Sequence, residues 1–344
     1  MKRSRIISGH CFVIAALVFA ASVVVFAQPD PKAPQNGPAV RTTAPAIAPA
    51  LPPDFLGGDN FERSIKVDPA FNLSLCVTQG TVKINGWNRS ELRVFVQDGG
   101  KFGLKIQQKS LKTGDPVWIM LAGIEPKNKN YAPAECLWGD VIEIDLPVNA
   151  SVNIKGQETT TTIDGIRKAS VKTIGGDISI RNVTDGVMAS AGQGGITVEA
   201  SSGEMELVST TGNIVVFEAG PAEIGDIFKA KTNGGTISLQ KLEHRQVEVS
   251  SITGSVVFDG DLLSGGSYSF GTSNGSIRLS LPQSASCTIW ASYGFGNFNS
   301  EIPIKIMTEN IGEGPVKSMT GKLGSGDASL KLTTNSGSIV LKKK

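Results

Sequence analysis

The segment 247–258 reads VEVSSITGSVVF, and the segment 268–279 reads YSFGTSNGSIRL. Each has apolar residues at alternate positions before and after a central glycine, which is Gly254 in the first segment and Gly275 in the second. A serine or threonine stands three positions before that glycine. Alternating apolar positions on both sides of a glycine-bearing turn are typical of two short strands that each bury one face.

This unit recurs along much of the chain. The positions two and four residues after the glycine, and five and seven residues before it, are apolar or aromatic in every copy. The central glycines are Gly176, Gly194, Gly203, Gly212, Gly235, Gly254, Gly275 and Gly337. We expect each of them to occupy a turn position with positive φ, where a side chain would be costly.

The spacing of the glycines suggests coils of about 20 residues. Stacked coils predict an all-β fold, a right-handed parallel β-helix or β-solenoid with irregular capping segments. An antiparallel β meander is the alternative, because Asn233-Gly234 and Asn274-Gly275 are also strong hairpin-turn dipeptides. The two folds differ in whether successive turns stack on one another.

The start of the chain has the pattern of an export signal. Residues 1–27 combine Lys2, Arg3 and Arg5 with an apolar run that ends near Ala27, and we expect cleavage there and no transmembrane span afterwards. An uncleaved anchor remains the alternative. Residues 28–54 form a linker rich in proline and alanine, and residues 55–344 form the folded domain.

The charge of the chain is nearly balanced. It has 344 residues with 33 Lys plus Arg and 31 Asp plus Glu, and without the three basic residues of the leader the basic count falls to 30. A basic surface for nucleic acid is therefore not expected.

Several segments resemble a known family. They are 86–94 (GWNRSELRV), 144–151 (IDLPVNAS), 173–178 (TIGGDI), 324–328 (GSGDA) and 335–339 (NSGSI). Together with the repeat, they make residues 61–344 similar to the exported putative-adhesin family, a domain of unknown function built as a β-solenoid. The resemblance implies a solenoid and offers no catalytic motif.

Two segments depart from the repeat. Residues 111–139 form a longer polar insertion, and residues 283–325 form an irregular segment that contains four aromatic residues. The four aromatic residues either cap the solenoid and pack in its core, or form a binding face that stacks on sugars or peptides. They are Trp290, Tyr293, Phe295 and Phe298.

Candidate catalytic or metal-binding residues are few. Only His244 remains as a histidine after the leader, and the wide spacing of Cys76, Cys136 and Cys287 does not fit a zinc site. No cofactor is therefore expected. In an oxidising compartment Cys76 and Cys136 are a candidate disulfide, with three unpaired thiols as the alternative.

Two further patterns bear on catalysis. Residues 271–275 match Gly-x-Ser-x-Gly, but strand positions follow where a nucleophile elbow needs a helix. Acidic residues at the turns, including Asp177, Glu204, Asp259 and Asp261, are more typical of turn chemistry than of a catalytic pair.

These observations predict an exported, non-enzymatic protein of the cell envelope or the medium, located in the periplasm, at the cell surface or outside the cell. Its solenoid surface would serve adhesion or the binding of a cell-envelope glycan or surface protein. The alternative is an extracellular carbohydrate-active β-helix enzyme, a lyase or glycoside hydrolase. A structural or regulatory envelope role is a third possibility, and the sequence does not specify an oligomeric state.

Overall fold

A computed structural model of the protein describes residues 59–107, 117–124, 136–223, 225–310 and 316–344. All of them belong to one structural unit, Pro53–Lys344. The expected leader (1–27) and linker (28–54) lie outside the described residues, as do residues 111–116 and 125–135 of the expected insertion.

The described residues form 25 strands. In chain order these are β1 (Asp59–Lys66), β2 (Phe71–Trp87), β3 (Glu91–Gly99), β4 (Phe102–Gln107), β5 (Val117–Gly123), β6 (Cys136–Pro147), β7 (Ser151–Asp164), β8 (Lys168–Gly175), β9 (Ile178–Arg181), β10 (Val187–Gln193), β11 (Ile196–Ser202), β12 (Met205–Ser209), β13 (Ile214–Gly220), β14 (Ile227–Gly234), β15 (Ile237–Leu242), β16 (Gln246–Thr253), β17 (Val256–Asp259), β18 (Ser267–Asn274), β19 (Ile277–Leu281), β20 (Cys287–Tyr293), β21 (Phe298–Ser300), β22 (Lys305–Asn310), β23 (Lys317–Leu323), β24 (Ala328–Ser336) and β25 (Ile339–Lys343).

The middle of the chain stacks as two parallel layers. Layer A contains β8, β10, β12, β14, β16, β18 and β24, each paired in parallel with the next. Layer B contains β9, β11, β13, β15, β17, β19 and β25, paired in the same way. Successive turns therefore stack, so the predicted parallel solenoid is confirmed and the antiparallel meander is wrong for this region.

The alternating apolar residues explain why these segments are strands. In β18, for example, Tyr268 and Phe270 are buried while Ser267 and Ser269 face outward. The inward residues of both layers join one hydrophobic cluster, in which the ring of Phe258 lies 5.3 Å from that of Phe270. Burial of one face of every strand supplies the main stabilising free energy of the stack.

A column of glycines holds the turns together. Gly194, Gly212, Gly235, Gly254, Gly275 and Gly337 each lie so close to the preceding glycine of the column that a Cβ atom would collide with its carbonyl oxygen. Close approach, rather than positive φ, is what they share, because Gly212, Gly254 and Gly275 do not have positive φ. Gly203 is not in this column, since it stacks on Gly186 at the opposite turn.

Both ends of the stack depart from chain order. β2 lies between β7 on one side and β5 and β6 on the other. At the other end, β24 and β25 lie between the β18 and β19 coil and the β20 and β21 coil. The chain thus places its last strand pair inside the stack, one coil from its end.

Antiparallel strands extend both ends. β3 pairs with β6 and with β1, while β4 pairs with β5. At the other end, β23 pairs with β20 and with β22. The segment 283–325, expected to be irregular, therefore contains the four strands β20–β23. Of these, β20 and β23 have alternating buried and outward residues, without the regular glycine spacing of the repeat.

Candidate functional site

The structure does not bring the four aromatic residues of the predicted binding face together on one surface. Trp290 is 46% exposed and Phe295 is 85% exposed, whereas Tyr293 is only 6% exposed. Phe298 is partly buried, and its ring lies 6.2 Å from the ring of Tyr293. Tyr293 and Phe298 therefore belong to the packing of the last coil.

The reason is that Tyr293-Gly294-Phe295-Gly296 is a solenoid turn. Gly296 lies against the carbonyl group of Gly337 and so extends the glycine column. Tyr293 pairs with Thr334 and occupies the inward position that serine or threonine fills in other coils. Burial raises the pKa of the Tyr293 phenol.

Trp290 instead lies on the outer face of β20, which pairs with β24 of layer A. It is the exposed member of the β20 alternation, between the buried Ile289 and Ala291. Its register partners are Lys331 on β24 and Thr320 on β23. The indole is therefore held on a rigid strand in the interior of a sheet, with paired strands on both sides.

The strands around Trp290 form a mainly polar surface that we call the outer array. It spans five strands in the order β18, β24, β20, β23 and β22. Its central row is Ser269, Lys331, Trp290, Thr320 and Thr308. The row on one side is Ser267, Ser329, Thr288, Lys322 and Lys305. The row on the other side is Gly271, Thr333, Ser292, Ser318 and Asn310. Neighbouring strands in such a sheet are about 4.8 Å apart, and successive outward residues on one strand are about 7 Å apart.

The outer array is positively charged. It includes Lys305, Lys322 and Lys331, and within these five described strands no acidic side chain shares the same face. Glu309 of β22 pairs with Met319, which is buried, so it lies on the opposite face of the sheet. This face therefore suits an anionic or neutral ligand better than a cationic one.

The acids at the turns take part in the turns themselves. The Asp177 Oδ1 accepts a hydrogen bond of 2.7 Å from the backbone N–H of Gly195. At the same position two coils on, the Asn213 Oδ1 accepts one of 2.8 Å from the N–H of Thr236. This position forms a ladder between coils, and the acids at the turns are not brought together as a catalytic pair there.

The other candidate acids also have structural contacts. Asp259, at the end of β17, forms an ion pair of 2.9 Å with Lys344. Asp261 is exposed two residues later. In the segment 271–275, Ser273 lies within β18 and β19 follows, so the strand-turn-helix of a nucleophile elbow does not form there.

His244 is a core residue. It is fully buried, and its Nε2 lies 2.8 Å from the carbonyl oxygen of Gly203, to which it donates. Its Nδ1 has no hydrogen-bond partner. Burial lowers the pKa of the imidazole, so the neutral form is favoured.

The three cysteines in the described part of the chain fall into two classes. Cys76 of β2 and Cys136 of β6 are register partners and form a disulfide, with their Cα atoms 4.3 Å apart. Cys287 is a free, fully buried thiol, and burial raises its pKa to about 12. A thiol in this state is a poor nucleophile.

Across the described part of the chain, no three side chains of His, Cys, Asp or Glu lie close enough together to bind a metal ion. In the same ranges there is no helix with the length and apolar character needed to cross a membrane.

Sequence reasoning singled out Trp290 but did not find the outer array. The alternating serines and threonines of β18, β20 and β24 were a visible signal. Their assembly around Trp290 depends on β24 lying between β18 and β20, an order that alternation along the chain does not specify.

A family model described as Toastrack DUF4097 matches residues 164–342. None of the curated proteins matches the chain.

Two solved structures are similar to the chain at low sequence identity. One is described as a putative cell adhesion protein from Clostridium sporogenes ATCC 15579, with 12% identity, a TM-score of 0.26, and coverage of 83% of this chain and 100% of that chain. The other is described as a putative adhesin (BF0245) from Bacteroides fragilis NCTC 9343, with 11% identity, a TM-score of 0.39, and coverage of 84% of this chain and 99% of that chain.

Proposed function

The chain belongs to the Toastrack DUF4097 family, and from that premise we propose that it is an exported, non-enzymatic protein whose solenoid surface binds a macromolecule of the cell envelope or its surroundings. The binding surface is the outer array around Trp290. The leader-like sequence of residues 1–27 supports export, with the protein in the periplasm, at the cell surface or in the medium.

The observation that carries the proposal is the exposed indole of Trp290 in the interior of a paired sheet. Trp290 is 46% exposed although each neighbour in its strand is buried. A rigid strand holds an aromatic ring in place without the entropic cost of ordering a loop on binding. Rigid aromatic residues with surrounding hydrogen-bonding groups are typical of binding surfaces.

The enzyme alternative has less support. Asp177 serves a turn and Asp259 pairs with Lys344, while His244 is buried with its Nε2 bound to a backbone carbonyl group. None of these three residues belongs to the outer array, and each has a structural contact of its own. We therefore propose binding without turnover.

Binding is tested with the full chain, purified without its leader if the host removes it. Immobilised polysaccharide and protein fractions of a bacterial envelope are titrated with the protein by biolayer interferometry. Saturable binding to at least one fraction is expected. Linear, unsaturable signals on every fraction would overturn the proposed binding function.

The non-enzymatic part of the proposal has its own assay. The same polysaccharide fractions are incubated with the protein, and reducing ends and unsaturated uronate products are measured. No product above the buffer control is expected. Product formation that increases with protein concentration would favour the carbohydrate-active alternative.

Export is tested by fractionating the native host and sequencing the N-terminus of the protein. The mature chain is expected in the envelope or the medium and to begin at Gln28. A cytoplasmic chain that still begins at Met1 would contradict the export proposal.

A further inference from the structure

We infer that the outer array is a site for an anionic polysaccharide, with Trp290 stacking on a sugar ring and Lys331, Lys322 and Lys305 contacting its acidic groups. This inference rests on the proposed function and names the class of ligand for the same surface. It follows from the charge of the array, the isolation of its indole and its repeat spacing.

The isolation of Trp290 distinguishes a sugar from a protein partner. The cores of protein interfaces bring several apolar and aromatic side chains together. Trp290 has Lys331 and Thr320 as its register partners, and the rows on both sides are mainly serine, threonine and lysine. A single aromatic face surrounded by hydroxyl groups matches the C–H face of a sugar ring and its hydroxyl rim.

The charge of the array selects an anionic polymer. Lys331 is exposed directly beside Trp290, and Lys322 and Lys305 are register partners on the two outer strands. Like charges on directly opposed residues destabilise a sheet, so the pair of lysines costs free energy in the unbound protein. An acidic group bound between them would offset that repulsion.

The hydroxyl groups around Trp290 keep the capacity to bind a ligand. Thr288 donates a hydrogen bond of 3.3 Å to the carbonyl oxygen of Gly326, and its oxygen can still accept from a sugar hydroxyl. A shallow groove lined by Lys229, Glu248, Ser267 and Ser269 continues from the array along layer A, and there Lys229 and Glu248 are register partners of opposite charge. The surface therefore extends beyond one sugar residue.

The geometry of the sheet suits a polymer. Neighbouring strands repeat about every 4.8 Å, which is comparable to the length of one sugar residue in an extended polysaccharide. Successive sugar residues along the stacking direction would meet successive strands, β24, β20 and β23. Lys331 on β24, Lys322 on β23 and Lys305 on β22 would place positive charge beside the acidic groups of such a polymer.

The experiment uses the full chain and three polyuronates: polygalacturonate, alginate and hyaluronate. Methyl-esterified polygalacturonate is the matched neutral ligand, because it keeps the sugar backbone and loses the charge. Binding is measured by biolayer interferometry at two salt concentrations. Saturable binding to at least one polyuronate is expected, with weaker binding to the ester and at the higher salt concentration.

The variants separate this surface from the rest of the molecule. Trp290→Ala should weaken binding by about tenfold or more, and Lys331→Gln by about threefold. Trp138→Ala is the matched control for the indole, because Trp138 is 51% exposed on β6 near the other end of the stack. Lys172→Gln on β8 is the control for charge, and both controls should bind within about twofold of the parent protein.

Three outcomes would overturn the inference while leaving the proposed function intact. The first is unchanged polyuronate binding by Trp290→Ala, and the second is equal binding to the methyl ester. The third is saturable binding to an envelope fraction, protein or neutral glycan, without binding to any of the three polyuronates. Absence of saturable binding to every envelope fraction and every polyuronate would overturn both proposals.

Discussion

The hydroxyl group of Thr232 is fully buried and donates a hydrogen bond of 3.0 Å to the carbonyl oxygen of Gly212 in the neighbouring coil. The same relationship joins each later hydroxyl residue of this position to the column glycine of the preceding coil. The pairs are Ser251 with Gly235, Thr272 with Gly254, and Thr334 with Gly275. The repeated hydroxyl residue is therefore a bond between coils rather than a cap within its own turn.

Replacement of Thr232 by valine tests this bond. Thr232→Val keeps the shape of the side chain and leaves the Gly212 carbonyl group without this donor in the core, so we expect a loss of about 1–2 kcal/mol in the free energy of unfolding. Thr232→Ser retains the hydroxyl and is the control. In urea unfolding, a valine variant at least as stable as the serine variant would contradict the role of the bond.

Substitution in the glycine column should be far more damaging. In Gly254→Ala the new Cβ would collide with the backbone carbonyl oxygen of Gly235, so we expect a loss of about 2 kcal/mol or more. Gly271→Ala is the matched control on the adjacent strand, because the nearest atoms there would be 3.9 Å away. Thermal melts of the two variants should differ clearly; equal melting temperatures would show that the column tolerates side chains.

Ala200 offers a stabilising substitution. Its φ of 47° lies in the left-handed region, which costs an L-residue free energy that glycine avoids. We expect Ala200→Gly to raise the free energy of unfolding by about 0.5–1 kcal/mol. Ala230→Gly, in the buried interior of β14, should lower it. Destabilisation by both substitutions to the same extent would contradict this account of Ala200.

His244 should make stability depend on pH. Burial lowers its pKa in the folded protein, although Asp226 and Glu243 oppose that shift. The unfolded chain therefore takes up a proton first as the pH falls. Its contribution to stability is complete above about pH 6.5 and declines as the pH falls from there towards the lower folded pKa.

The measurement for His244 is urea unfolding between pH 8 and pH 5. The parent protein should lose more stability over this range than His244→Gln, whose side chain does not titrate. Identical pH profiles for the two proteins would show that His244 does not contribute. Comparison with the variant removes the contribution of carboxylates, which is common to both proteins.

The disulfide between Cys76 and Cys136 spans 60 residues of sequence. In the chain-entropy description, opening a loop of this length lowers the free energy of unfolding by about 4 kcal/mol. Dithiothreitol should therefore lower the melting temperature of the parent protein and leave a Cys76→Ala/Cys136→Ala double variant unchanged. A parent protein insensitive to the reductant, with its thiols shown by mass to be reduced, would contradict this stabilisation.

Much of the central solenoid could be predicted from the sequence because its information is local. The apolar alternation and the glycine spacing identify the strands and the turn between them, as the units around Gly254 and Gly275 show. Gly203 was misplaced because its flanking pattern is the same, although it serves the opposite turn. The apolar pattern around a glycine identifies a turn, but it does not show on which side of the solenoid that turn stacks.

The ends of the solenoid could not be predicted in the same way. Alternation gives the inward face of β20 and β24 but not the strands that pair with them. The turn around Phe295 carried the aromatic signal of a binding loop, whereas Gly296 extends the glycine column and Tyr293 packs inside. Trp290 was distinguishable from Tyr293 only by its phase in the strand, one residue after a buried isoleucine.

The position of β24 and β25 has a consequence for synthesis. β24 and β25 follow β20 and β21 in the sequence, yet they lie between the coil of β18 and β19 and the coil of β20 and β21. Coils up to β19 pair among themselves, while the sheet around Trp290 is complete only when residues 328–343 have joined it. A prematurely terminated chain thus lacks an internal coil, leaves open strand edges on both sides of the gap, and is exposed to aggregation and to quality-control proteases.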